Sequence, residues 1–308
     1  MAAPAGHAAK SSSKLVIYAA LAGNLLIAIT KFVAAAWTGS SAMLSEGVHS
    51  LVDTGNQGLM LYGIHRAKQP PTEEHPLGHG RELYFWSFVV ALLIFSLGAG
   101  ISFYEGVVHI RAPVAIAEPR VNYIVLALAF VFEGGSWTIA WREFKKQRGA
   151  EGVFTAVMRS RDPTGFIVLF EDSAALLGIG IAFAGMFLAE RLEMPVLDGV
   201  ASLGIGAVLA ITAIVLAREC KGLLIGESAR EETRRSIREI AAREPGVRAT
   251  GRLLSVHLGP NQIVVAFEID LDADLGGNDA ETVIRSLRQH IRDRHPDIAE
   301  VFITPTGA

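Results

Sequence analysis

The feature that most constrains this chain is a group of ionisable residues inside a long apolar segment. Ser41–Ile64 is long and apolar enough to cross a bilayer, yet it contains Glu46, His49 and Asp53. On a helix these three side chains share one face, because residues three or four apart lie about one turn from each other. Burying them in a lipid-spanning helix is costly unless they meet a cation, a partner or water. Imidazole and carboxylate together form a ligand set suited to a divalent metal ion.

The composition indicates an integral membrane protein. Hydrophobic residues make up 51% of the 308-residue chain and charged residues 19%, and the mean hydropathy is +0.37. A bilayer core needs about 20 apolar residues per helix. Six segments meet this requirement: Leu15–Thr38, Ser41–Ile64, Leu83–Ile110, Val121–Trp141, Gly165–Ala189 and Val196–Ala217. We therefore predict an N-terminal tail over residues 1–14, a six-helix transmembrane domain over 15–217, and a soluble domain over 218–308.

The charges of the short loops predict the orientation. The loops after the second and fourth predicted spans are rich in lysine and arginine, whereas the opposite side carries only three arginines, Arg111, Arg120 and Arg191. The positive-inside rule then places both termini in the cytoplasm, as an even number of spans requires. The Ala- and Gly-rich composition favours a bacterial inner membrane.

The C-terminal domain has a pattern typical of a small α+β fold. A helical period over Glu231–Glu244 is followed by two strand-like runs, Leu253–Leu258 and Ile263–Ile269. A second helical period over Asp279–Arg294 precedes a last short strand at Ile298–Thr304. The order αββαβ predicts a ferredoxin-like domain. Its acidic and basic residues nearly balance and form no basic stripe, so we expect no nucleic-acid partner.

Two motifs resemble those of the cation diffusion facilitator family of metal/proton exchangers. They are Gly39–Asp53, which reads GSSAMLSEGVHSLVD, and His75–Arg81, which reads HPLGHGR. The following Thr54–Gln57 is similar to a branch of mitochondrial and nuclear zinc transporters. The resemblance covers nearly the whole chain and implies six spans, cytoplasmic termini and a cytoplasmic ferredoxin-like domain that dimerises.

The resemblance also implies a metal site made of two His/Asp-x-x-x-Asp pairs, in spans two and five. His49 and Asp53 match the first pair, and Asp172 matches the second position of the second pair. The remaining position is Val168, which cannot bind a metal. Glu171, Glu46 or a water molecule can replace the missing ligand. We favour Glu171, because carboxylates from two helices enclose an ion better. The alternative interpretation of Glu171 and Asp172 is a buried ion pair with a lysine or arginine, for which Lys31 of the first span is a candidate.

A secondary metal site in the loop after span two is the next candidate. His75 and His79 lie beside two glutamates, but Thr72 stands where family members with such a site have aspartate. The sequence supports a metal site in this loop and the absence of one equally well. In the tail, the positions that carry metal ligands in some family members are Arg248, Phe267, Thr304 and Thr306, so we predict a homodimer whose tail binds no metal.

The predicted function is export of a divalent cation in exchange for protons, without nucleotide and without enzymatic activity. Zn²⁺ is the first choice of substrate, because one imidazole with two or three carboxylates suits its tetrahedral geometry; Fe²⁺, Co²⁺ and Mn²⁺ are the alternatives. Two rival hypotheses are a non-transporting regulatory subunit, suggested by Val168, and a membrane metallohydrolase, which would need a peptidase signature that the sequence lacks.

Overall fold

The N-terminal two thirds of the chain are helical. The structure is a computed structural model that describes residues 8–113, 119–148 and 152–306; residues 1–7 of the predicted tail lie outside the described residues. A six-residue π-helical segment, Ile94–Ala99, joins the third helix to the fourth without a break. The helices are α1 (Ala8–Thr38), α2 (Ser41–Ala67), α3 (Glu82–Leu93), α4 (Gly100–Arg111), α5 (Pro119–Arg148), α6 (Val153–Arg159), α7 (Pro163–Arg191) and α8 (Val196–Ile225).

All six segments predicted as spans are helical, but they are not equally apolar. Among the described residues, four helical stretches are long and apolar enough to cross a membrane: Glu82–Arg111, Arg120–Arg142, Pro163–Arg191 and Val196–Ile225. In α1 the apolar stretch described is the shorter Asn24–Thr38. Helix α2 is absent from the four because its buried face is polar, with Glu46, His49, Asp53 and Asn56 all buried. The short helix α6 was not predicted.

The described residues divide into two compact units. The first comprises Met1–Gly63 and Trp86–Glu219, apart from the residues not described, and in it α5 packs against α7 and α1. Helix α8 packs closely on two neighbours, since a Cβ at Gly199 would lie 2.9 Å from the Gly106 carbonyl oxygen of α4. On its other side, a Cβ at Gly185 of α7 would lie 2.3 Å from the Cβ of Ala201.

The second unit comprises Ile64–Phe85 and Cys220–Ala308. Its elements after α8 are α9 (Glu231–Arg243), β1 (Val247–Gly259), β2 (Gln262–Leu271), α10 (Gly277–Arg294) and β3 (Ile298–Pro305), in the predicted order αββαβ. The strands form one sheet in the order β1-β2-β3; β1 pairs antiparallel with β2, and β3 runs parallel to β2. The strands are longer than predicted; β1 begins at Val247 and not at Leu253, because residues among its first six pair in the sheet although none of the six is buried.

The core of the second unit lies between its sheet and the apolar faces of α9 and α10. Ile237 and Ala241 of α9 and Leu287 and Ile291 of α10 are fully buried against strand residues such as Phe267. These helical residues are four apart, which is the spacing that predicted one apolar face per helix. Their burial holds both helices on the sheet.

Candidate metal centre

The first pair of predicted ligands lies buried on α2. His49 is 1% exposed and Asp53 is 7% exposed. The His49 Nδ1 atom lies 3.5 Å from Asp53 Oδ1, one helical turn away, but the geometry is not that of a hydrogen bond. Both ring nitrogens of His49 and the Oδ1 atom of Asp53 lack a hydrogen-bond partner. Buried polar atoms without partners are rare in folded proteins and call for an explanation such as an ion or water.

The second group of predicted ligands lies on α7, where Glu171 and Asp172 are both buried. The Nδ2 atom of Asn56, on α2, donates a hydrogen bond of 2.9 Å to Glu171 Oε1. The hydroxyl of Ser136, on α5, donates one of 2.9 Å to Asp172 Oδ2. Each acid of α7 is therefore held by a neutral donor from a different helix, so neither has a cationic partner among these contacts.

A further buried acid, Glu133 of α5, belongs to the same region. It lies about one turn before Ser136, whose hydroxyl contacts Asp172, so the buried acids of α5 and α7 lie on helices that meet here. No three His, Cys, Asp or Glu side chains within the described residues are close enough to hold a metal ion as they stand. Closing a coordination shell around an ion therefore requires these side chains to move toward one another.

Glu46, the other candidate for the missing ligand, has a different environment. Its Oε2 atom lies 3.0 Å from the Nζ atom of Lys31, on α1, and both side chains are fully buried. Lys31 also donates a hydrogen bond of 2.8 Å to the Ser50 hydroxyl. The Oε1 atom of Glu46 has no hydrogen-bond partner and faces Gly178, where a Cβ would lie 2.3 Å away.

The partner of Lys31 bears on an alternative raised by the sequence. The alternative to a metal site was a buried ion pair between Lys31 and the acids Glu171 and Asp172. In the structure, Lys31 pairs with Glu46 instead. Glu46 is thereby compensated by a cation, whereas Glu171 is not. Val168, one turn before Asp172, is half-buried on the same helix and offers no polar atom.

The loop histidines lie in the second unit and are close together. The ring centroids of His75 and His79 are 4.6 Å apart, and His79 is buried with its Nδ1 atom unpartnered. They line a cavity of about 550 Å³ together with apolar residues such as Phe85 and Leu258. Thr72 is occupied in the turn: its hydroxyl accepts a hydrogen bond of 3.1 Å from the backbone N–H of His75.

In the C-terminal domain, all four positions predicted to be non-ligating have structural contacts, and Thr304 pairs with Glu268 in the sheet. Arg248 pairs with Asp270, Phe267 belongs to the core, and the Thr306 hydroxyl donates to the Ile269 carbonyl oxygen. The hydrogen bond from Arg248 raises the pKa of its guanidinium. His295, whose Nε2 atom lies 2.9 Å from the Ser236 hydroxyl, has a pKa lowered by burial.

Sequence reasoning missed the buried acid Asp198, in the first turn of α8. It is 1% exposed and accepts hydrogen bonds from Ser40 and Ser41 in the turn that begins α2. The available signal was an acid at the start of an otherwise apolar span. The partners of that acid are more than 150 residues away in the sequence, so they were not visible there.

The comparisons with known proteins agree with this arrangement. The domain family described as "Cation efflux transmembrane domain" matches residues 17–225, and "Cation efflux protein, cytoplasmic domain" matches residues 229–304. The chain belongs to the cation diffusion facilitator family. The resemblance inferred from the two sequence motifs is therefore confirmed.

Three relatives locate the chain within the cation diffusion facilitator family. It is 35% identical over 259 residues to the human "Proton-coupled zinc antiporter SLC30A9, mitochondrial", which covers 83% of this chain and 46% of that protein. It is 29% identical over 266 residues to "Metal tolerance protein C4" of Arabidopsis thaliana, covering 85% of this chain and 58% of that protein. It is 25% identical over 290 residues to "Cation-efflux pump FieF" of Escherichia coli, covering 93% of this chain and 91% of that protein. The chain thus spans about half the length of the first of these relatives.

Proposed function

We propose that this protein is a secondary transporter that exports a divalent metal cation in exchange for protons, with Zn²⁺ as its substrate. One observation carries the proposal. His49 and Asp53 of α2 and Glu171 and Asp172 of α7 are buried in one region, and the two helices are joined there by the hydrogen bond from Asn56 to Glu171. Polar groups buried in membrane-spanning helices mark ion pathways.

We propose that His49, Asp53, Asp172 and Glu171 bind the transported ion, with Glu171 in the role that Val168 cannot fill. The unpartnered ring nitrogens of His49 and Oδ1 of Asp53 support this role, because a buried polar atom without a partner is available to an ion. The pairing of Glu46 with Lys31 supports Glu171 over Glu46, since a carboxylate already compensated by a cation attracts a metal ion less strongly. Asn56 would orient Glu171, as outer-shell hydrogen bonds do at metal sites.

Proton exchange follows from the chemistry of this ligand set. A divalent ion needs neutral imidazole and ionised carboxylates, so binding releases protons and protonation releases the ion. If the site opens alternately to each side of the membrane, protons entering from outside displace the metal there and are carried inward. Zn²⁺ suits one imidazole with carboxylate oxygens. Fe²⁺, Co²⁺ and Mn²⁺ remain candidates, because the second histidine of the usual set is missing.

We further propose the finer architecture of this transporter. Helices α1, α2, the continuous α3–α4, α5, α7 and α8 would be six spans, with both termini in the cytoplasm, as the lysine- and arginine-rich loops favour. The αββαβ order supports a ferredoxin-like C-terminal domain, and the match to the cytoplasmic-domain family supports a homodimer. We place the protein in a bacterial inner membrane. The loop pair His75 and His79 remains a candidate secondary site.

The test is zinc flux in liposomes that contain the purified full-length protein and a zinc-sensitive dye. An imposed pH gradient should drive zinc movement in the unsubstituted protein and none in Asp53→Ala. Flux that is equal in both proteins would contradict the assignment of the site. Absence of flux with zinc, manganese, iron and cobalt would favour the regulatory-subunit hypothesis.

A second variant addresses the missing ligand directly. If Glu171 completes the site, Val168→His adds a fifth donor to a full coordination shell and should reduce zinc flux. If Val168 marks a degenerate site, the same substitution should increase zinc flux. Val168→Ala is the matched control, because it changes the volume at this position without adding a ligand.

A further inference from the structure

The start of α2 is capped by an acid from another helix. Ser40 is the residue before α2, and its hydroxyl accepts a hydrogen bond of 3.2 Å from the backbone N–H of Met43. Asp198 of α8 supplies the remaining acceptors through its Oδ2 atom, 2.6 Å from the backbone N–H of Ser41 and 3.4 Å from that of Ala42. The first N–H groups of a helix have no acceptor within the helix itself. Two of the first N–H groups of α2 therefore depend on an acceptor from α8.

The carboxylate of Asp198 is also bound by hydroxyl groups and by two helix ends. The hydroxyls of Ser40 and Ser41 each donate a hydrogen bond of 2.8 Å to it. Because Asp198 lies in the first turn of α8 and contacts the first turn of α2, its negative charge lies at the positive ends of two helix dipoles. Asp198 is 1% exposed, so these groups replace the water that an ionised carboxylate requires.

Hydroxyl groups extend the contact between α2 and α8 toward the transport site. The Ser202 hydroxyl, on α8, donates a hydrogen bond of 3.1 Å to Ser41 and accepts one of 3.2 Å from Ser45. Ser45 is fully buried and lies one turn before His49. The contact therefore closes the space between this end of the helix pair and the first metal ligand.

We infer that Asp198 is a positioning residue that latches α2 to α8 and closes the transport site at the end where both helices begin. This inference rests on the proposed function, since a transporter must open each end of its site in turn. By the proposed orientation this is the outer end. The cap forms or breaks as a unit, because the carboxylate binds the serine hydroxyls and the helix end at once. Releasing it would free α2 to separate from α8.

The chain offers a matched control for this acid. Asp162 precedes α7 and accepts a hydrogen bond of 3.0 Å from the backbone N–H of Thr164 in its own helix. Both acids cap a helix, but only Asp198 joins two helices. Removing Asp162 weakens one cap, whereas removing Asp198 should also open the contact between α2 and α8.

The experiment measures how fast a membrane-impermeant maleimide modifies Ser45→Cys in sealed liposomes that contain the full-length chain. The native Cys220 is replaced by serine in every variant. Leu192→Cys, an exposed position in the connection between α7 and α8, measures the fraction of molecules that present this end to the reagent. The rate at Ser45→Cys is compared in the Asp198, Asp198→Ala and Asp162→Ala backgrounds.

With Asp198 present, Ser45→Cys should react slowly. Asp198→Ala should speed this modification about tenfold or more, because it shifts the population toward the state in which α2 and α8 are separated. Asp162→Ala should leave the modification slow. Asp198→Asn, which keeps one acceptor oxygen, should give an intermediate rate. An unchanged rate in Asp198→Ala, with Leu192→Cys reacting normally, would overturn the inference. Equal acceleration by Asp162→Ala would also overturn it, because general loosening would then explain the result. Faster modification without zinc flux in the unsubstituted protein would support the latch and refute transport.

Discussion

The buried ion pair between Lys31 and Glu46 gives the sharpest prediction for stability. Both side chains are fully buried, the Nζ–Oε2 distance is 3.0 Å, and Ser50 provides the ammonium with a further hydrogen bond. Replacing Lys31 by methionine leaves a buried carboxylate without its cation. Removal of one partner of a buried ion pair lowers the free energy of unfolding by about 3 to 5 kcal/mol. Glu46→Met should cost a similar amount, because it leaves the ammonium of Lys31 with only Ser50.

The double variant distinguishes the energy of the ion pair from the effects of the two individual side chains. Lys31→Met with Glu46→Met removes both charges, and replacing a buried pair by apolar residues of similar volume is often neutral or stabilising. The two single costs should therefore not add, and their coupling should be at least about 3 kcal/mol. For a helical domain of about 200 residues, each single loss corresponds to a fall in Tm of about 6 to 20 °C.

The assay is thermal unfolding of the purified protein in one detergent, with all four members of the cycle measured together. Single substitutions that each cost under about 1 kcal/mol, or an additive double variant, would refute the account of a desolvated pair. The same proteins test the metal site. If Glu46 serves Lys31 and not the metal, the double variant should still transport zinc once it is folded.

Three further predictions concern different parts of the molecule. Asn56→Ala should weaken zinc binding about 10- to 100-fold in a titration, because Glu171 loses the donor that orients it; unchanged affinity would contradict that role. On α2, Gly63→Ala should cost about 1 to 3 kcal/mol in the free energy of unfolding, because its Cβ would lie 2.9 Å from a tryptophan Cβ of α3. Gly58→Ala, which meets nothing within 4 Å, should not destabilise, and equal effects of the two would refute the packing argument. Burial lowers the pKa of His295 below its usual 6.5, so its contribution to stability is lost as pH falls through that value. His295→Gln should make unfolding less dependent on pH between about 7 and 5, and an unchanged dependence would show that other groups are responsible.

Much of the fold was predictable because its signals are local. Long apolar runs predicted every helix that carries a candidate ligand, and spacing of four residues predicted the buried faces of α9 and α10. His49 and Asp53 were found for the same reason, since a helix places residues four apart on one face. Helix α2 shows the limit of composition: its buried polar residues lower its mean hydropathy, so it is not among the four described helices that are apolar enough to be recognised as spans.

The remaining features depend on which helices meet, and a single sequence does not contain that information. Lys31 was considered as a partner for the acids of α7, but the packing of α1 against α2 gives it to Glu46. Asn56 was noted only as part of a resemblance, and its contact with Glu171 spans 115 residues. Asp198 was missed because its role, capping a helix that begins 157 residues earlier, leaves no mark near it in the chain.

The most direct test of the proposed site is calorimetric titration of the purified protein with zinc in two buffers of different protonation enthalpy. We predict a zinc-binding event that releases protons, is lost in Asp53→Ala, is weakened in Glu171→Gln, and survives in the Lys31→Met, Glu46→Met double variant. Zinc binding and proton release that are unchanged by Asp53→Ala and Glu171→Gln would contradict this prediction, because the metal would then bind elsewhere.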